Sequence, residues 1–332
     1  MTSGVVAIET RDLTKRYGSL VAVDQLNLSI GYGEVFGLLG PNGAGKTTTI
    51  SMLCTIAMPS SGAASVNGFD IARQPDMVRR SIGIVFQDPS LDDRLTAWEN
   101  LELHGCLYDM RRDDVRKRIG EVLELVGLSD RARSLVRTYS GGMKRRLELA
   151  RGLMHWPRVL FLDEPTLGLD PQTREHIWQY IEGLVKRGDM TIVLTTHYME
   201  EAERLSQRVA IIDHGRVQVV DTPANLKNSL HGDVITVQCT LPQILGEKLT
   251  ALTGASNVRA DGGLVRLNVI DGERFVPQVV ELARQVGIAI DSISIHRPTL
   301  NDVFLHYTGR DMRSEDADSM HFARAWIRRT HR

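Results

Sequence analysis

Short apolar runs alternate with longer stretches of helical spacing along the first two thirds of the chain. Three of these runs, Val35–Leu39, 159–162 and 191–194, are almost entirely apolar, which is typical of strands buried on both faces of a parallel sheet. Each run is followed by glycines or polar residues, and open α/β sheets bind ligands at the carboxyl ends of their strands. The pattern therefore predicts an α/β domain with a ligand site at that edge of its sheet.

A helical insertion is predicted between about residues 90 and 140, where no such apolar run occurs. Residues 98–104 and 115–126 have instead the apolar spacing of amphipathic helices. We expect this segment to be a helical subdomain of the α/β domain, which covers residues 1–228 in all.

A second, smaller domain is predicted over residues 229–310. The apolar pattern there gives, in order, a strand, a helix, a hairpin, a second helix and a further strand, at residues 233–240, 241–252, 258–270, 275–286 and 288–295. This β-α-β-β-α-β order is that of ferredoxin-like α+β domains. A last helix over 300–307 closes the domain, and residues 311–332 are expected to form a mobile tail.

The composition narrows the class of protein. The 332 residues carry 40 Lys and Arg against 41 Asp and Glu, and the net charge of −1 gives no reason to expect a nucleic-acid partner. The basic run at residues 144–146, Lys-Arg-Arg, is interpreted as a solvated helix face, because acids interleave throughout.

The three cysteines lie far apart, which suits a reducing compartment and excludes a cysteine-spaced metal site. No apolar run approaches the roughly 18–20 residues that span a bilayer, so we expect a cytosolic protein.

A phosphate-binding motif follows the first predicted strand. Residues 40–47, Gly-Pro-Asn-Gly-Ala-Gly-Lys-Thr, match the pattern G-x-x-x-x-G-K-S/T between a strand and a helix. Its glycines let backbone N–H groups surround phosphate oxygens, Lys46 can reach the β- and γ-phosphates, and the Thr47 hydroxyl suits Mg²⁺. A glycine-rich turn without a ligand is the alternative, which the flanking strand and helix disfavour. The predicted nucleotide contacts are Gly40, Pro41, Asn42, Gly43, Ala44, Gly45, Lys46, Thr47 and Thr48.

Two acids, Asp163 and Glu164, close the apolar run 159–162. Asp163, at the end of a buried strand, suits the Mg²⁺ shell, through water. Glu164 suits a general base for the water that attacks the γ-phosphate, with its pKa raised by apolar surroundings. A turn or capping role is the alternative, since Pro165 follows at once. The phosphate motif upstream favours the nucleotide interpretation.

These motifs together resemble the ATP-binding subunits of ABC transporters, over about residues 7–228. Residues 139–144, Tyr-Ser-Gly-Gly-Met-Lys, are similar to the signature sequence of that family, although tyrosine and methionine replace its usual leucine and glutamine. Ser140, followed by Gly141 and Gly142, suits the N-cap of a helix whose free N–H groups form a second anion site. A capped helix alone is the alternative. In the family this helix faces the ATP of another subunit, so the resemblance implies that two copies sandwich each ATP.

Four further residues match functional positions of the family one by one. Tyr17 resembles the aromatic that stacks on adenine, Gln87 the glutamine that touches Mg²⁺ and the attacking water, and His197 the histidine that contacts the γ-phosphate. A half-buried tyrosine and a structural histidine are the alternatives at the first and last of these. Asp170 resembles the inter-subunit aspartate and also suits a helix N-cap, because Pro171 follows it. The resemblance implies that the catalytic residues are Glu164, His197 and Gln87. It implies that the Mg²⁺ ligands are Thr47, Gln87 and Asp163.

Local phrases narrow the resemblance to the daunorubicin-resistance branch of the family, at residues 166–171, 196–203 and 300–305. That branch works with separate ABC-2-type permeases, usually as exporters of drugs, lipids or polysaccharides, and its accessory C-terminal domain makes subunit contacts. The resemblance therefore implies an export ATPase at the cytoplasmic face of the cell membrane, with ATP and Mg²⁺ as cofactors. A soluble ABC ATPase acting on ribosomes or DNA is the alternative, which the single cassette and the lack of basic excess disfavour.

Overall fold

The computed structural model describes residues 6–88, 90–186, 190–230 and 232–309. The chain divides into two compact units, Met1–Val220 and Asp221–Arg332. The division lies before residue 221, whereas the sequence pattern puts it after residue 228, because the helix Pro223–Asn228 contacts the last helix of the second unit, Leu300–Thr308. Residues 311–332, the predicted tail, lie outside the described residues.

The first unit contains two sheets with helices packed around them. Its strands are β1 (Val6–Tyr17), β2 (Leu20–Gly31), β3 (Val35–Leu39), β4 (Ser61–Val66), β5 (Phe69–Asp70), β6 (Ile82–Val85), β7 (Val159–Asp163), β8 (Thr191–Thr196), β9 (Arg208–Asp213) and β10 (Arg216–Asp221), which ends at the boundary. Its helices are α1 (Lys46–Leu53), α2 (Pro75–Ser81), α3 (Ala97–Leu107), α4 (Arg112–Leu125), α5 (Gly141–Gly152), α6 (Pro171–Lys186) and α7 (Met199–Leu205).

The central sheet has the strand order β10-β9-β3-β8-β7-β6 within the described residues. β3, β8 and β7 lie side by side and parallel, and every residue in them is buried. Their apolar sequences follow from this position, since strands covered on both faces have no solvent-facing side. The three strands predicted from the apolar runs are confirmed. The strand pairing brings Leu39, Asp163 and Thr196, at their carboxyl ends, to one edge of the sheet.

The first unit also contains an antiparallel sheet that the apolar pattern does not predict. β1 pairs with β2 and with β4, in the order β2-β1-β4-β5. Register shifts interrupt β1 between Thr10 and Leu13, where Asp12 has a φ of 46°, so its buried residues do not alternate regularly. Ile8 and Leu13 share one apolar core with Ile50 of α1.

Residues 90–140 form a helical insertion. Its described residues contain α3, α4, two 3₁₀ turns (Ser129–Arg131 and Val136–Thr138) and no strand beyond a single bridge between Thr96 and Leu135. Thr96 starts α3 with a capping box, in which its side chain bonds the Glu99 N–H and the Glu99 side chain bonds the Thr96 N–H. α3 and α4 pack on each other and on α5. Because α5 also packs against β6, this helix joins the insertion to the central sheet.

The second unit has the predicted β-α-β-β-α-β order. Its elements are α8 (Pro223–Asn228), β11 (Asp233–Cys239), α9 (Pro242–Thr250), β12 (Ser256–Asp261), β13 (Leu264–Val269), α10 (Gly272–Gln285), β14 (Ile290–His296) and α11 (Leu300–Thr308). The sheet order is β12-β13-β11-β14, and each neighbouring pair is antiparallel. The predicted fold class, an α/β domain with a helical insertion followed by a ferredoxin-like domain, is confirmed. None of the described helices has the length and apolar character needed to cross a membrane.

Candidate active site

The loop between β3 and α1 wraps around the Lys46 side chain. The Lys46 ammonium donates hydrogen bonds to the carbonyls of Gly40 and Pro41, at 2.7 and 3.1 Å. Gly45 has a φ of 100°, and a Cβ there would lie 2.4 Å from the carbonyl oxygen of Ala22, so the loop requires glycine at this position. Gly45 also caps α1 without a side-chain bond, which leaves the first N–H groups of the helix for a ligand.

β7 ends in Asp163, beside the start of α1. The Thr47 hydroxyl donates to Asp163 Oδ1 at 3.2 Å, and the Thr195 hydroxyl of β8 donates to the same oxygen at 2.5 Å. Hydroxyl and carboxylate oxygens are ligands that Mg²⁺ prefers. Thr47 and Asp163 therefore have the chemistry of the predicted metal site. Thr195 supports Asp163 in this site. The sequence gives no signal for this role of Thr195 beyond its place at the end of a buried strand.

Glu164 lies between two basic groups. Its Oε1 is 3.3 Å from the Lys46 ammonium, and its Oε2 is 2.9 Å from His197 Nδ1. Burial alone would raise the pKa of Glu164, but the bond with His197 and the charge of Lys46 outweigh burial and lower it. The sequence-based prediction of a raised pKa is therefore wrong. It counted the apolar surroundings and not the two basic groups that the fold brings in.

A cleft of about 440 Å³ opens along these residues. It is lined by residues 41–48 of the phosphate loop together with Tyr17, Gln87 and Glu164. Tyr17 is half exposed, so its ring is accessible for stacking on a base, and the Lys15 ammonium lies 4.9 Å from the ring centroid. The fold thus gathers most of the residues predicted for the phosphates, the adenine and the attacking water into one cleft, although Gly40, Asp163 and His197 do not line it. A second cavity, of about 610 Å³, contains none of them.

His214 lines the same cleft and is not predicted from the sequence. It lies in the turn between β9 and β10 with a φ of 47°, and the next residue, Gly215, donates its N–H to the Ala44 carbonyl at 3.0 Å. Because β9 pairs with β3, the sheet order brings this turn to the phosphate loop. The dipeptide His-Gly after an apolar strand signals a turn, but only the sheet order shows which loop it meets.

The signature residues lie outside this cleft, at the exposed start of α5. Ser140 caps the helix by accepting a hydrogen bond from the N–H three residues along, at 3.3 Å. Asp170 caps α6, and its carboxylate accepts bonds from the N–H and the hydroxyl of Thr173, at 3.0 and 2.7 Å. The two helix starts are close, since a Cβ on Gly142 would lie 2.4 Å from Thr173 Cγ2. Within one chain, residues 140–142 and Asp170 therefore form a second cluster, separate from the cleft.

Arg145 is buried, so the interpretation of residues 144–146 as a solvated face is wrong at this residue. Its guanidinium reaches the backbone that follows β7 and donates to the Pro165 carbonyl at 2.7 Å. Burial lowers the pKa of Arg145, while nearby carboxylates, Glu148 first, oppose the shift. A signal lies in its helical spacing from Leu149, which is buried on the same side of α5.

Two family models match the chain. Residues 23–167 match the model described as ABC transporter, and residues 222–308 match the one described as ATP-binding protein DrrA1-3-like, C-terminal domain. The chain is also 42% identical over 313 residues to the daunorubicin resistance ATP-binding protein DrrA3 of Streptomyces coeruleorubidus, with 94% of this chain and 98% of that protein covered. The chain belongs to the ATP-binding subunits of ABC transporters. The predicted family is confirmed.

Two further proteins extend the comparison of this ABC subunit. It is 42% identical over 308 residues to the Nod factor export ATP-binding protein I of Paraburkholderia xenovorans (strain LB400), with 92% of this chain and 98% of that protein covered. The dimeric, post-hydrolysis structure of the ATP-binding cassette MJ0796, bound to ADP and Pi, has a TM-score of 0.59 and 29% identity over 65% of this chain and 98% of that one. The subunit is an ABC ATPase that binds and hydrolyses ATP, as predicted.

Proposed function

We propose that this ABC ATPase drives an exporter, in which two copies close on two ATP molecules and the closure moves a separate ABC-2-type permease. The observation that carries the proposal is the contact of Lys46 and His197 with the two oxygens of Glu164, at the carboxyl edge of a parallel sheet. Two relatives are named for daunorubicin resistance and Nod factor export, and the MJ0796 cassette with ADP and Pi is dimeric. These names and this assembly support the exporter and the dimer.

ATP binds in the cleft with its phosphates against the loop between β3 and α1. Lys46 and the N–H groups at the start of α1 bind the β- and γ-phosphates, because both present positive charge to the same space. Tyr17, which lines the cleft and is half exposed, stacks on adenine.

Thr47 and Asp163 would hold Mg²⁺ together with Gln87, which lines the same cleft. When bound, Mg²⁺ neutralises charge on the β- and γ-phosphates. The Thr195 hydroxyl donates to Asp163 and accepts the Glu164 N–H at 3.0 Å, so one side chain supports both the metal ligand and its catalytic neighbour.

Glu164 accepts a proton from the water that attacks the γ-phosphate. Its lowered pKa keeps it ionised at neutral pH, which is the form that a base requires. When Lys46 turns to the phosphates, Glu164 loses one basic neighbour while it stays buried, and its pKa rises toward that of a more effective base. His197 meets Glu164 through Nδ1, which leaves Nε2 for the γ-phosphate.

The exposed cluster of residues 140–142 and Asp170 binds the ATP held by a second copy. Ser140 is a neutral cap, so the positive end of α5 is available to an anion. Neither Ser140 nor Asp170 lines the cleft of its own chain, which is why two copies are needed to complete each site. The dimer works at the cytoplasmic face of the cell membrane, docked on the permease. Among drug, lipid and polysaccharide cargoes, the name of the daunorubicin-resistance relative favours a drug.

The proposal is tested by trapping its closed state. Glu164→Gln protein carrying an affinity tag is incubated with Mg·ATP in detergent-solubilised host membranes, recovered, and its companions are identified by mass spectrometry. We expect to recover a polytopic membrane protein with Glu164→Gln. The same membrane protein should be absent with the double variant Lys46→Ala/Glu164→Gln, since the double variant does not hold ATP. Recovery of ribosomal proteins or nucleic acid, without a membrane protein, would contradict the exporter.

A further inference from the structure

Helix α5 carries two charged side chains that are turned inward, Arg145 and Glu148. They are one helical turn apart and 6% and 0% exposed. Burying charges is costly unless their hydrogen bonds are made, so the partners of these two groups reveal what the helix holds.

Arg145 holds the backbone on which the predicted base lies. Its Nη2 donates to the carbonyls of Asp163 and Glu164 at 3.0 Å each, and its Nε donates to the Pro165 carbonyl at 2.7 Å. Its Nη1 donates to the Phe86 carbonyl, at the end of β6. A guanidinium has five donors in a fixed plane, so these bonds fix the position of the main chain around it.

Glu148 holds the other end of the segment that carries Gln87. Its Oε1 accepts the Ser90 N–H at 2.6 Å, and its Oε2 accepts from the Arg151 guanidinium at 2.7 and 3.2 Å. Phe86, bound by Arg145, and Ser90, bound by Glu148, stand on either side of Gln87. Helix α5 therefore grips this segment at both ends.

We propose that Arg145 and Glu148 are positioning residues that couple the start of α5 to Glu164 and Gln87 of the same chain. The inference rests on the proposed function, which assigns the start of α5 to the ATP of a second copy. When that ATP binds Ser140, α5 shifts as a rigid body. Arg145 and Glu148 then transmit the shift to the backbone around Glu164 and Gln87. Each copy then hydrolyses its ATP only when its own α5 is engaged by the other.

Equilibrium binding and turnover separate this role from simple bracing. The hydrogen bonds that Arg145 donates and that Glu148 accepts all involve described residues outside the phosphate loop, so ATP binding to one chain does not depend on them. We expect full-length Arg145→Met to bind a fluorescent ATP analogue within about threefold of the parent, while kcat falls about 10-fold or more, the loss typical of hydrogen bonds to a charged group. Glu148→Gln keeps one acceptor and should lose less.

Arg118→Met is the matched control. Arg118 of α4 also spends its guanidinium on a backbone carbonyl, that of Leu153, at 2.7 and 3.3 Å, but this carbonyl lies at the far end of α5. Its kcat should stay within about twofold, because the catalytic backbone is untouched. If Arg145→Met instead shows the same proportional loss in the number of ATP-binding sites per chain and in turnover, Arg145 only stabilises the fold. That result would overturn the coupling. Where Arg145→Met does not fold, Arg145→Lys gives the same comparison, since one ammonium cannot span four carbonyls.

A second measurement distinguishes the coupling from the proposed function on which it rests. Glu164→Gln and the double variant Arg145→Met/Glu164→Gln are compared by light scattering after saturation with Mg·ATP. We expect a dimer for the first and, at the same concentration, a dissociation constant about 10-fold weaker for the second. Dimers of equal strength, with normal turnover by Arg145→Met, overturn the coupling and leave the sandwich intact. A monomeric Glu164→Gln protein would overturn the sandwich itself.

Discussion

The Lys46 ammonium lies 3.3 Å from a carboxylate oxygen of Glu164, and both side chains are more than nine-tenths buried. The other oxygen of Glu164 faces His197. Lys46 is also the predicted phosphate ligand, so the γ-phosphate and the Glu164 carboxylate compete for one cation. This competition links nucleotide binding to the protonation of the proposed base, and the first prediction below follows from it.

Removing the ammonium by Lys46→Met should weaken ATP binding and raise the pKa of Glu164. Affinity should fall about 10-fold or more, since hydrogen bonds to a charged group are lost. The carboxyl pKa rises because burial, which was outweighed, now has only His197 to oppose it. Calorimetry measures the affinity, and a carbon-13 NMR titration of the carboxyl measures the pKa. Lys248→Met, at an exposed lysine of α9, is the control that should change neither. An unchanged Glu164 pKa would show that the contact carries no electrostatic weight.

Glu164→Gln keeps the shape of the side chain and removes its basic oxygen. We expect ATP to bind and kcat to fall about 100-fold or more, the range for loss of a general base. Because hydrolysis reopens the proposed dimer, the variant should accumulate in the ATP-bound form. Phosphate release measures the rate, and normal turnover would remove Glu164 from the role of base. Gln179→Glu, on the exposed side of α6, controls for a Glu/Gln exchange elsewhere.

Thr195→Val should slow hydrolysis although Thr195 touches no predicted phosphate position. Its hydroxyl donates to Asp163 Oδ1 and accepts the Glu164 N–H, and valine fills the same space without either bond. We expect kcat to fall about 10-fold and the Mg²⁺ concentration for half-maximal rate to rise, because Asp163, the proposed metal ligand, loses a supporting hydrogen bond. Thr195→Ser retains the hydroxyl and should restore both values. If valine is as active as threonine, Asp163 is held by other contacts.

The sequence predicts the parts of the fold whose patterns are local. β3, β7 and β8 are buried on both faces, so their apolar runs are visible without knowledge of the fold. β1 escapes, because its register shifts and the positive φ of Asp12 break the two-residue period on which strand prediction depends. The phosphate loop is predicted for the reason that its residues are contiguous in sequence.

The electrostatics of the site depend on residues from distant segments, and here the sequence is insufficient. Glu164 follows closely on the apolar run 159–162 in the chain, which led to the prediction of a raised pKa. Lys46 and His197 follow other strands of the sheet, and their contacts with Glu164 lower its pKa instead. Arg145 likewise lies in a basic run, and only the path of β6 and β7 beneath α5 shows why it turns inward. The site roles named from resemblance stay predictions until they are measured.

His155 should make the stability of the first unit sensitive to acid. Its Nε2 lies 2.7 Å from the Ile82 carbonyl and its ring stacks on Tyr108 at 3.7 Å, so it is held as the neutral imidazole. Burial lowers the pKa of His155 to about 4. The unfolded chain, with an ordinary pKa near 6.5, then binds the proton first as the pH falls. The contribution is complete above about pH 6.5 and declines toward pH 4, by about 2 kcal/mol between pH 7 and pH 5.

Native-state hydrogen exchange of the β6 and β7 amides at pH 7 and pH 5 measures this loss, because His155 bonds the backbone where β6 begins. His155→Gln can still donate to the Ile82 carbonyl and takes up no proton. Between pH 7 and pH 5, the free energy of opening should therefore decrease by about 2 kcal/mol less in this variant than in the parent. His176→Gln, at an exposed histidine of α6, should follow the parent. An equal decline in His155→Gln and in the parent would mean that another group carries the acid sensitivity. The partner to examine next would be His104, whose ring lies 5.8 Å from that of His155 and whose pKa burial lowers to about 3.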